Sequence, residues 1–380
     1  MTSPELAEEV LDDLGLLRAR DPRGLLPAVA GAGAQVRETA RLTEEAALDR
    51  VTGGGRPRGL IVVARREGAV AASVLRALLG PSSPVTVEVV PGPALPVWAG
   101  PSDIAVMATR TGAGTYAVGP AYEAARRGVS LVGIGADDAP LRSVCSAARA
   151  PYVALPRSRV QHTTLWSLLT PMLRLATDLR LLPDGVADPE AVATALDEIA
   201  QECGPTRESF VNPAKTLALE LLDALPVIAA EGPLAGAAAG RIADQLATLA
   251  GLPVTGFRLP DQRVAACAVL GGPLAPQDGD DFFRDRADDA GRRMRLLTIR
   301  DSDAGGHDGA GEREPRSAAE AMQQVLRTAA THGVPVSGLA EHGDPDRYPR
   351  LPRLARQLAV ADFSAVYLAL ALDRERAAGS

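Results

Sequence analysis

The chain has 380 residues, of which 46% are hydrophobic and 23% charged, and its formal net charge is -7. The length predicts two domains, and the composition is typical of an ordinary globular protein and excludes a disordered or fibrous one. The negative charge, with no basic patch interleaved with aromatic residues, argues against a nucleic-acid partner.

The cysteines and the termini bear on the compartment. Cys145, Cys203 and Cys267 are far apart and form no CxxC pair. Three isolated thiols, in a chain whose first 17 residues lack an apolar segment of signal length, predict a reducing cytoplasm and neither a disulfide scaffold nor a zinc site. The sequence contains no uninterrupted run of about 20 apolar residues, so we do not expect a membrane span. We expect a cytoplasmic protein with no metal, no cofactor and no membrane partner.

The first half begins with helices and continues as a repeated strand–loop–helix unit. Apolar residues at helical spacing predict helices over residues 4–17 and 34–51. The unit then recurs, with strands over 60–63, 85–89, 104–107 and 131–134 and helices over 70–79 and 116–127. This spacing predicts a parallel sheet, and the loops at the carboxyl ends of its strands form the natural ligand crevice.

The second half repeats the pattern after a helical stretch. Helices are predicted over 162–182, 188–202, 213–222, 234–249, 318–332 and 351–372, and strands over 225–229, 264–270, 295–299 and 334–339. The Gly/Asp-rich residues 301–316 predict a surface loop. The predicted fold class is α/β, with two doubly wound parallel-sheet domains joined by a helical connector. The predicted boundaries are 1–55 for N-terminal helices, 56–157 for the first domain, 158–222 for the connector and 223–380 for the second domain.

Several segments, in the order in which they occur along the chain, resemble those of a known family. They are Asn212-Pro213-Ala214-Lys215, Pro233-Leu234-Ala235-Gly236, Gln245-Leu246, Leu259-Pro260-Asp261, Phe282-Phe283-Arg284-Asp285-Arg286 and Asp362-Phe363-Ser364-Ala365-Val366-Tyr367-Leu368-Ala369-Leu370. With its two α/β halves, the chain resembles the bacterial bifunctional phosphoglucose/phosphomannose isomerase family from about residue 6 to residue 372. The resemblance implies two sugar-isomerase (SIS) domains, a homodimer and a sugar-phosphate ligand.

The sequence departs from that family where its chemistry takes place. A glycine-rich turn is replaced by residues 64–68, an SGNTEET-like loop by 109–115, and an arginine before the connector by the region of Gln161 and His162. The Asn-Glu-Asn triplet that supplies the family's base maps onto Ala247-Thr248-Leu249, and the histidine expected after Leu259-Pro260 is absent, with Gln262 and Arg263 nearby. Base and histidine each contribute about 100- to 10,000-fold, so their loss removes most of the rate.

The two loops after the first and third strands are the predicted ligand site. Glycine turns and hydroxyls suit a phosphate, whereas Glu67 would repel it. The residues expected to bind a sugar phosphate are Arg65, Arg66, Gly68, Thr109, Thr111, Gly112 and Thr115. Helix-capping threonines and solvated arginines are the structural alternative. No catalytic residue is identified, and His162 and Asp261 are the candidates.

Three functions fit this pattern. The first is a sugar-phosphate-binding SIS protein with weak or lost isomerase activity. The second is an active glucose-6-phosphate/mannose-6-phosphate isomerase with relocated residues, among them Glu67, His162 or Asp261. The third is a non-catalytic scaffold or regulatory partner in sugar metabolism. A nicotinamide enzyme is disfavoured because no GxGxxG follows the first strand.

Overall fold

The structure is a computed structural model that describes residues 4–157, 159–275, 293–301 and 314–373. The helices are α1 Pro4–Asp12, α2 Leu14–Arg20, α3 Leu25–Ala30, α4 Ala32–Glu45, α5 Asp49–Thr52, α6 Glu67–Leu79, α7 Thr115–Arg127, α8 Pro140–Ala147, α9 Leu165–Asp178, α10 Pro189–Glu202, α11 Pro213–Leu221, α12 Pro233–Gln245, α13 Arg263–Leu270, α14 Glu314–Thr331 and α15 Arg350–Ala371. The strands are β1 Gly59–Ala64, β2 Thr86–Val90, β3 Asp103–Ala108, β4 Ser130–Ala136, β5 Tyr152–Leu155, β6 Ala224–Glu231, β7 Thr255–Leu259, β8 Arg293–Arg300 and β9 Val336–Gly338. A π-helix, Leu246–Ala250, continues α12, and a 3-10 turn, Leu339–His342, follows β9.

The first sheet is parallel, with strand order β2-β1-β3-β4-β5. Every residue of the central strands β1 and β3 is buried, as expected for strands covered by helices on both faces. The chain winds outward in one direction from β1 to β2 and in the other from β3 to β5. The boundary between β1 and β3 is therefore the switch point of this sheet, where doubly wound folds bind ligands.

The second sheet has the order β7-β6-β8-β9 and is also parallel. Its switch point lies between β6 and β8, because the chain continues outward from β6 to β7 on one side and from β8 to β9 on the other. Its core packs Val227 and Leu296 of the central strands against Met322 and Val325 of α14. The two sheets confirm the prediction of an α/β protein with two doubly wound parallel sheets.

The chain divides into two compact units, Ala30–Asp197 and the described parts of Met1–Val29 with Glu198–Ser380. The predicted connector 158–222 is therefore shared between the units: α9 belongs to the first and α11 to the second. The N-terminal helices are shared in the same way, because α1 and α2 belong with the C-terminal unit.

One predicted strand is wrong. Residues 264–270 form α13, and the strand beside β6 is β7, which the sequence pattern missed. A short apolar run cannot distinguish a strand from a helix by itself. Here only Ala266 and Leu270, four residues apart, are fully buried within the helix, and its alanines favour helix.

Other differences concern breaks and additional elements. The helix predicted over 4–17 is divided because Asp13 caps α2, its Oδ1 accepting from the amides of Gly15 and Leu16 at 2.7 and 3.0 Å. The helix over 34–51 is divided at Ala47, whose φ is +53°. β5 and α8 extend the first series. The resemblance segment 282–286 and most of the predicted loop 301–316 lie outside the described residues.

Lys215, the only lysine in the chain, explains the Asn-Pro-Ala-Lys segment. Asn212 caps α11, and the buried Lys215 ammonium donates to Asp12 Oδ1 and to the carbonyls of Pro205 and Arg207 at 2.7–3.0 Å. These three acceptors satisfy all three of its donors. The side chain therefore fastens α1 to α11 within the C-terminal unit.

The longest helix, α15, is at the centre of the C-terminal unit. It is long and apolar enough to cross a membrane by length and composition, yet the whole of its apolar stretch is buried inside the fold. Burial on all sides is what a core helix requires, and this accounts for its apolar surface.

Candidate functional site

The candidate site is the crevice at the switch point of the first sheet. Ala64 and Ala108 are paired at the ends of β1 and β3, so the loops that follow begin side by side. Arg66 and Arg110 each lie two residues beyond this pair. The carboxyl edge of neighbouring parallel strands therefore brings together two loops that are far apart in sequence.

The first loop is a tight turn with an unusual residue in it. Arg66 has φ +51° and ψ -124°, and the amide of Gly68 donates to the carbonyl of Arg65 at 3.1 Å. These angles match the second position of a type II′ turn, which glycine dominates. The turn thus keeps a glycine conformation, although an arginine occupies it, at a cost on the order of 1–3 kcal/mol.

Glu67 does not face this crevice. Its carboxylate is buried and accepts from the amide of Thr164 and from the Thr164 hydroxyl, both at 2.7 Å. Thr164 is the N-cap of α9, so Glu67 places a negative charge at the positive end of that helix. The expectation that Glu67 would repel a phosphate is therefore corrected: the side chain is a fastening between α6 and α9.

The contacts described for the arginines of the two loops are with carbonyl oxygens, an aromatic ring and a histidine. Arg65 Nε donates to the Pro91 carbonyl at 2.7 Å, and its guanidinium lies 4.7 Å from the Tyr116 ring centroid. Arg110 Nη1 donates to the Arg159 carbonyl at 3.2 Å. Within the described part of the chain, none of Arg65, Arg66 and Arg110 pairs with a carboxylate. The crevice therefore carries uncompensated positive charge.

His162 is the neighbour of Arg66. Its Nδ1 lies 3.3 Å from Arg66 Nη2, its side chain is buried, and its φ is +73°. Because a guanidinium can only donate, His162 Nδ1 is the acceptor in this contact. Two strained, non-glycine residues thus meet at the strand ends, a situation that is found most often at functional sites.

The two glycines expected to bind phosphate have packing roles. A Cβ on Gly68 would lie 3.0 Å from the Ala64 side chain and 3.2 Å from the Ala108 carbonyl, so Gly68 lets α6 approach the sheet. Gly112 has φ +63°, and a Cβ there would meet the Ala139 side chain at 2.5 Å. A further contact between either backbone and a ligand stays a prediction.

The three threonines differ in exposure. Thr109 is buried, and its amide donates to the Ile134 carbonyl at 3.0 Å, which extends the ladder to β4. Thr111 and Thr115 are exposed, and Thr115 begins α7. Two hydroxyls are therefore available at the rim of the crevice, next to the arginines of the two loops.

Asp261, the second catalytic candidate, belongs to the C-terminal unit. It is exposed in the turn between β7 and α13, whereas His162 belongs to the Ala30–Asp197 unit. At the positions matching the family's base triplet, Ala247 and Thr248 are exposed in the π-helix and Leu249 is buried. No carboxylate replaces the base at these three positions.

The second switch point has an internal anion. Asp301, directly after β8, is buried and accepts from the amide of Leu234 in the first turn of α12 at 3.1 Å. Arg350 donates to both of its carboxylate oxygens at 3.0 and 2.8 Å. Beside it, Glu231 pairs with Arg300 at 3.5 Å. The helix terminus that could hold a phosphate is thus occupied by the protein's own carboxylate.

Arg110 is the site residue that the sequence reasoning missed. Its position in the sequence could have identified it, since Arg66 and Arg110 each lie two residues after the end of a strand, and these two strand ends are paired. In the described ranges, no group of three His, Cys, Asp or Glu residues is placed to hold a metal ion.

The chain was compared with protein families and with solved structures. Residues 210–375 match the family model of the bacterial phospho-glucose isomerase C-terminal SIS domain. A structure from Thermus thermophilus, described as a hypothetical protein, is similar with a TM-score of 0.64 at 15% identity, over 96% of this chain and 89% of that one. Tagatose-6-phosphate ketose/aldose isomerase from Escherichia coli is similar with a TM-score of 0.59 at 13% identity, over 89% and 93%. No curated protein matches the sequence.

The fold, with two parallel α/β sheets in one chain, is shared with these structures. The sequence match over residues 210–375 supports a phosphoglucose isomerase-like SIS family for that part of the chain.

Proposed function

We propose that this protein binds a sugar phosphate at the switch point of its first sheet and has weak or lost aldose–ketose isomerase activity. The observation that carries the proposal is the set of three strand-end arginines without a carboxylate partner in the described chain: Arg65, Arg66 and Arg110. Guanidinium groups match the geometry and charge of a phosphate better than any other side chain.

The surroundings of these arginines suit a phosphate ester. Glu67, the one acidic residue in the first loop, is turned into the fold and bonded twice to Thr164. Thr111 and Thr115 add exposed hydroxyls at the rim, and hydroxyls donate to phosphate oxygens and to sugar oxygens alike. The proposed ligand class is supported by the family and by the E. coli neighbour, which acts on tagatose 6-phosphate.

The proposal of weak or lost isomerase activity is supported by the state of each candidate base. A carbon base must be within hydrogen-bonding reach of the proton that it removes. Glu67 is held by two hydrogen bonds away from the crevice, and the family's base position is occupied by Thr248. His162 contacts Arg66 and is almost fully buried.

We also propose a cytoplasmic homodimer, which is what the family resemblance implies. Size-exclusion chromatography with light scattering tests the oligomeric state directly, with a mass near twice 39.4 kDa expected.

Calorimetric titration of the full chain with glucose 6-phosphate, mannose 6-phosphate and fructose 6-phosphate, against the free hexoses, tests the binding proposal. At least one phosphate ester is expected to bind saturably, and the free hexoses much more weakly, because the arginines recognise the phosphate. No binding of any of these esters at millimolar concentration would contradict the proposal and favour the scaffold function.

Exchange of the C2 proton of the same sugars into deuterated water tests the catalytic part. We expect little or no exchange above the rate without protein. Exchange that Asp261→Asn or His162→Ala abolishes would contradict the proposal and establish an active isomerase with relocated residues.

A further inference from the structure

A second cationic site lies at the edge of the first sheet, apart from the crevice. A cavity of about 550 Å³ is lined by Arg50 of α5, by Arg142 and Ser146 of α8, and by Arg149, Ala150 and Tyr152 at the start of β5. β5 is the edge strand, so β4 lies between this cavity and the switch point at β1 and β3. Both sites belong to the Ala30–Asp197 unit.

The three arginines converge from α5, α8 and the residues after α8. Arg142 and Ser146 are four residues apart on one face of α8, and Arg149, just beyond the end of the helix, lines the same cavity. Arg142 pairs with Asp137 at the surface. Across the described residues, neither Arg50 nor Arg149 pairs with a carboxylate. None of the residues that line the cavity is acidic, so the cavity carries a net positive charge.

The floor of the cavity is rigid. The Tyr152 hydroxyl donates to the Ala136 carbonyl at 2.6 Å, and burial raises the pKa of this hydroxyl, so it remains a donor. The same ring lies close over Gly133, where a Cβ would come within 2.5 Å of it. Because the ring is fixed at both ends, the arginines surround a preformed surface.

We infer that this cavity binds a small molecule with two or more phosphoryl charges, of the class of inorganic pyrophosphate or a nucleoside diphosphate. The volume lies within the range of about 300–1,000 Å³ that is usual for small-molecule sites and exceeds the needs of a single phosphate. Two uncompensated guanidinium groups and a third in an exposed pair match a multiply charged anion. Nothing in the proposed sugar-phosphate function requires this site.

The backbone of Arg149 provides a test that keeps the fold intact. Arg149 follows α8 with φ +55°, and the amide of Ala150 donates back to the Cys145 carbonyl at 2.8 Å. This is the left-handed position that ends many helices and that glycine prefers. Arg149→Gly therefore removes the guanidinium without disturbing the end of the helix.

Arg180 is the matched control. It follows α9 with φ +56°, the amide of Leu181 donates to the Ala176 carbonyl at 2.9 Å, and the side chain is exposed. Arg180 has the same backbone geometry but lies outside the cavity lining. An arginine at this position is thus not a sign of a site, and what distinguishes the cavity is the convergence of three guanidinium groups.

The experiment is calorimetric titration of the full chain with pyrophosphate at constant ionic strength. The wild-type chain and Arg180→Gly should bind saturably with equal affinity, and Arg149→Gly should bind about 10-fold more weakly, the loss of one charge-assisted hydrogen bond. Arg50→Gln should weaken binding to a similar degree. A parallel titration with ADP establishes whether a nucleoside adds affinity to the diphosphate.

Three results would overturn the inference. The first is the absence of saturable binding of pyrophosphate by the wild-type chain. The second is equal binding by Arg149→Gly and Arg180→Gly, since the cavity arginine would then be irrelevant. The third is a 10-fold loss in Arg66→Gly with no loss in Arg149→Gly, which would assign the binding to the crevice.

Discussion

The two switch points of this molecule have the same topology and opposite electrostatics. At the second, Asp301 accepts from the first turn of α12 and from both nitrogens of the Arg350 fork, so the site for an anion is filled from within. At the first, Glu67, the acid of the first loop, accepts from Thr164 at the start of α9, and no carboxylate of the described residues pairs with the strand-end arginines. The shared topology of the two sheets therefore predicts a ligand position at each switch point, and the charges around each position decide whether it is open to an anionic ligand.

The largest expected effect concerns the filled switch point. Asp301→Ala removes the buried carboxylate that Arg350 and the α12 terminus share and should lower the free energy of unfolding by about 2–4 kcal/mol, measured by urea denaturation. Asp138→Ala, which breaks an exposed pair with Arg157, is the control and should cost less than about 0.5 kcal/mol.

Inorganic phosphate sharpens this prediction. It should stabilise Asp301→Ala more than the wild-type chain, because it can occupy the vacated position at the helix terminus. Equal stabilisation of both proteins would show that Asp301 does not occupy an anion position, and the contrast between the two switch points would fail.

The next effect concerns Glu67 and its partner. Glu67→Gln should lower the free energy of unfolding by about 1–2 kcal/mol, because a charge-assisted bond to the cap of α9 is lost. In a double-mutant cycle with Thr164→Val, the coupling between the two side chains should be about 1 kcal/mol. The affinity for a sugar phosphate should stay unchanged, because this carboxylate lies outside the crevice. Binding that becomes markedly tighter in Glu67→Gln would mean that Glu67 repels the ligand.

Arg66 separates stability from binding. Arg66→Gly places the preferred residue in the turn and should raise the free energy of unfolding by about 0.5–1 kcal/mol, since the relief of strain exceeds the entropy cost of glycine. The same change should weaken sugar-phosphate binding about 10-fold. Arg180→Gly is the control, with a similar gain in stability and no change in binding. A variant that binds as tightly as the wild type would remove Arg66 from the site.

The smallest effect is a pH dependence confined to the C-terminal unit. Burial, with a smaller contribution from the charge of Arg356, lowers the pKa of His342 below its usual 6.5 against the opposing attraction of Glu341 and Glu202. A group with a lowered pKa in the folded state binds its proton first in the unfolded state, so stability is present above about pH 6.5 and is lost as the pH falls below it. Urea titrations at about pH 7.5 and pH 5.5 should show this loss in the wild type and a smaller one in His342→Gln. An equal loss in both would exclude His342 as the cause.

The sequence predicts more of the framework than of the site. Apolar runs separated by glycine-bearing loops specify the strands of the first sheet and, with them, the position of the crevice. The direction of Glu67 was not predictable, because its partner Thr164 is 97 residues away and only tertiary packing brings the two together. Asp301 depends in the same way on Arg350, 49 residues further along the chain. The helix α13 was missed because the apolar run 264–270, of seven residues, fits a strand as well as it fits a helix.

Binding and chemistry at the first switch point can be measured in one experiment. Fructose 6-phosphate is titrated into the wild-type chain, Arg66→Gly and Arg180→Gly, and deuterium incorporation at C2 is followed in the same samples by NMR. We expect saturable binding by the wild type and Arg180→Gly, binding about 10-fold weaker by Arg66→Gly, and little or no exchange above the rate without protein. Equal binding by all three proteins, or exchange that His162→Ala abolishes, would contradict this expectation.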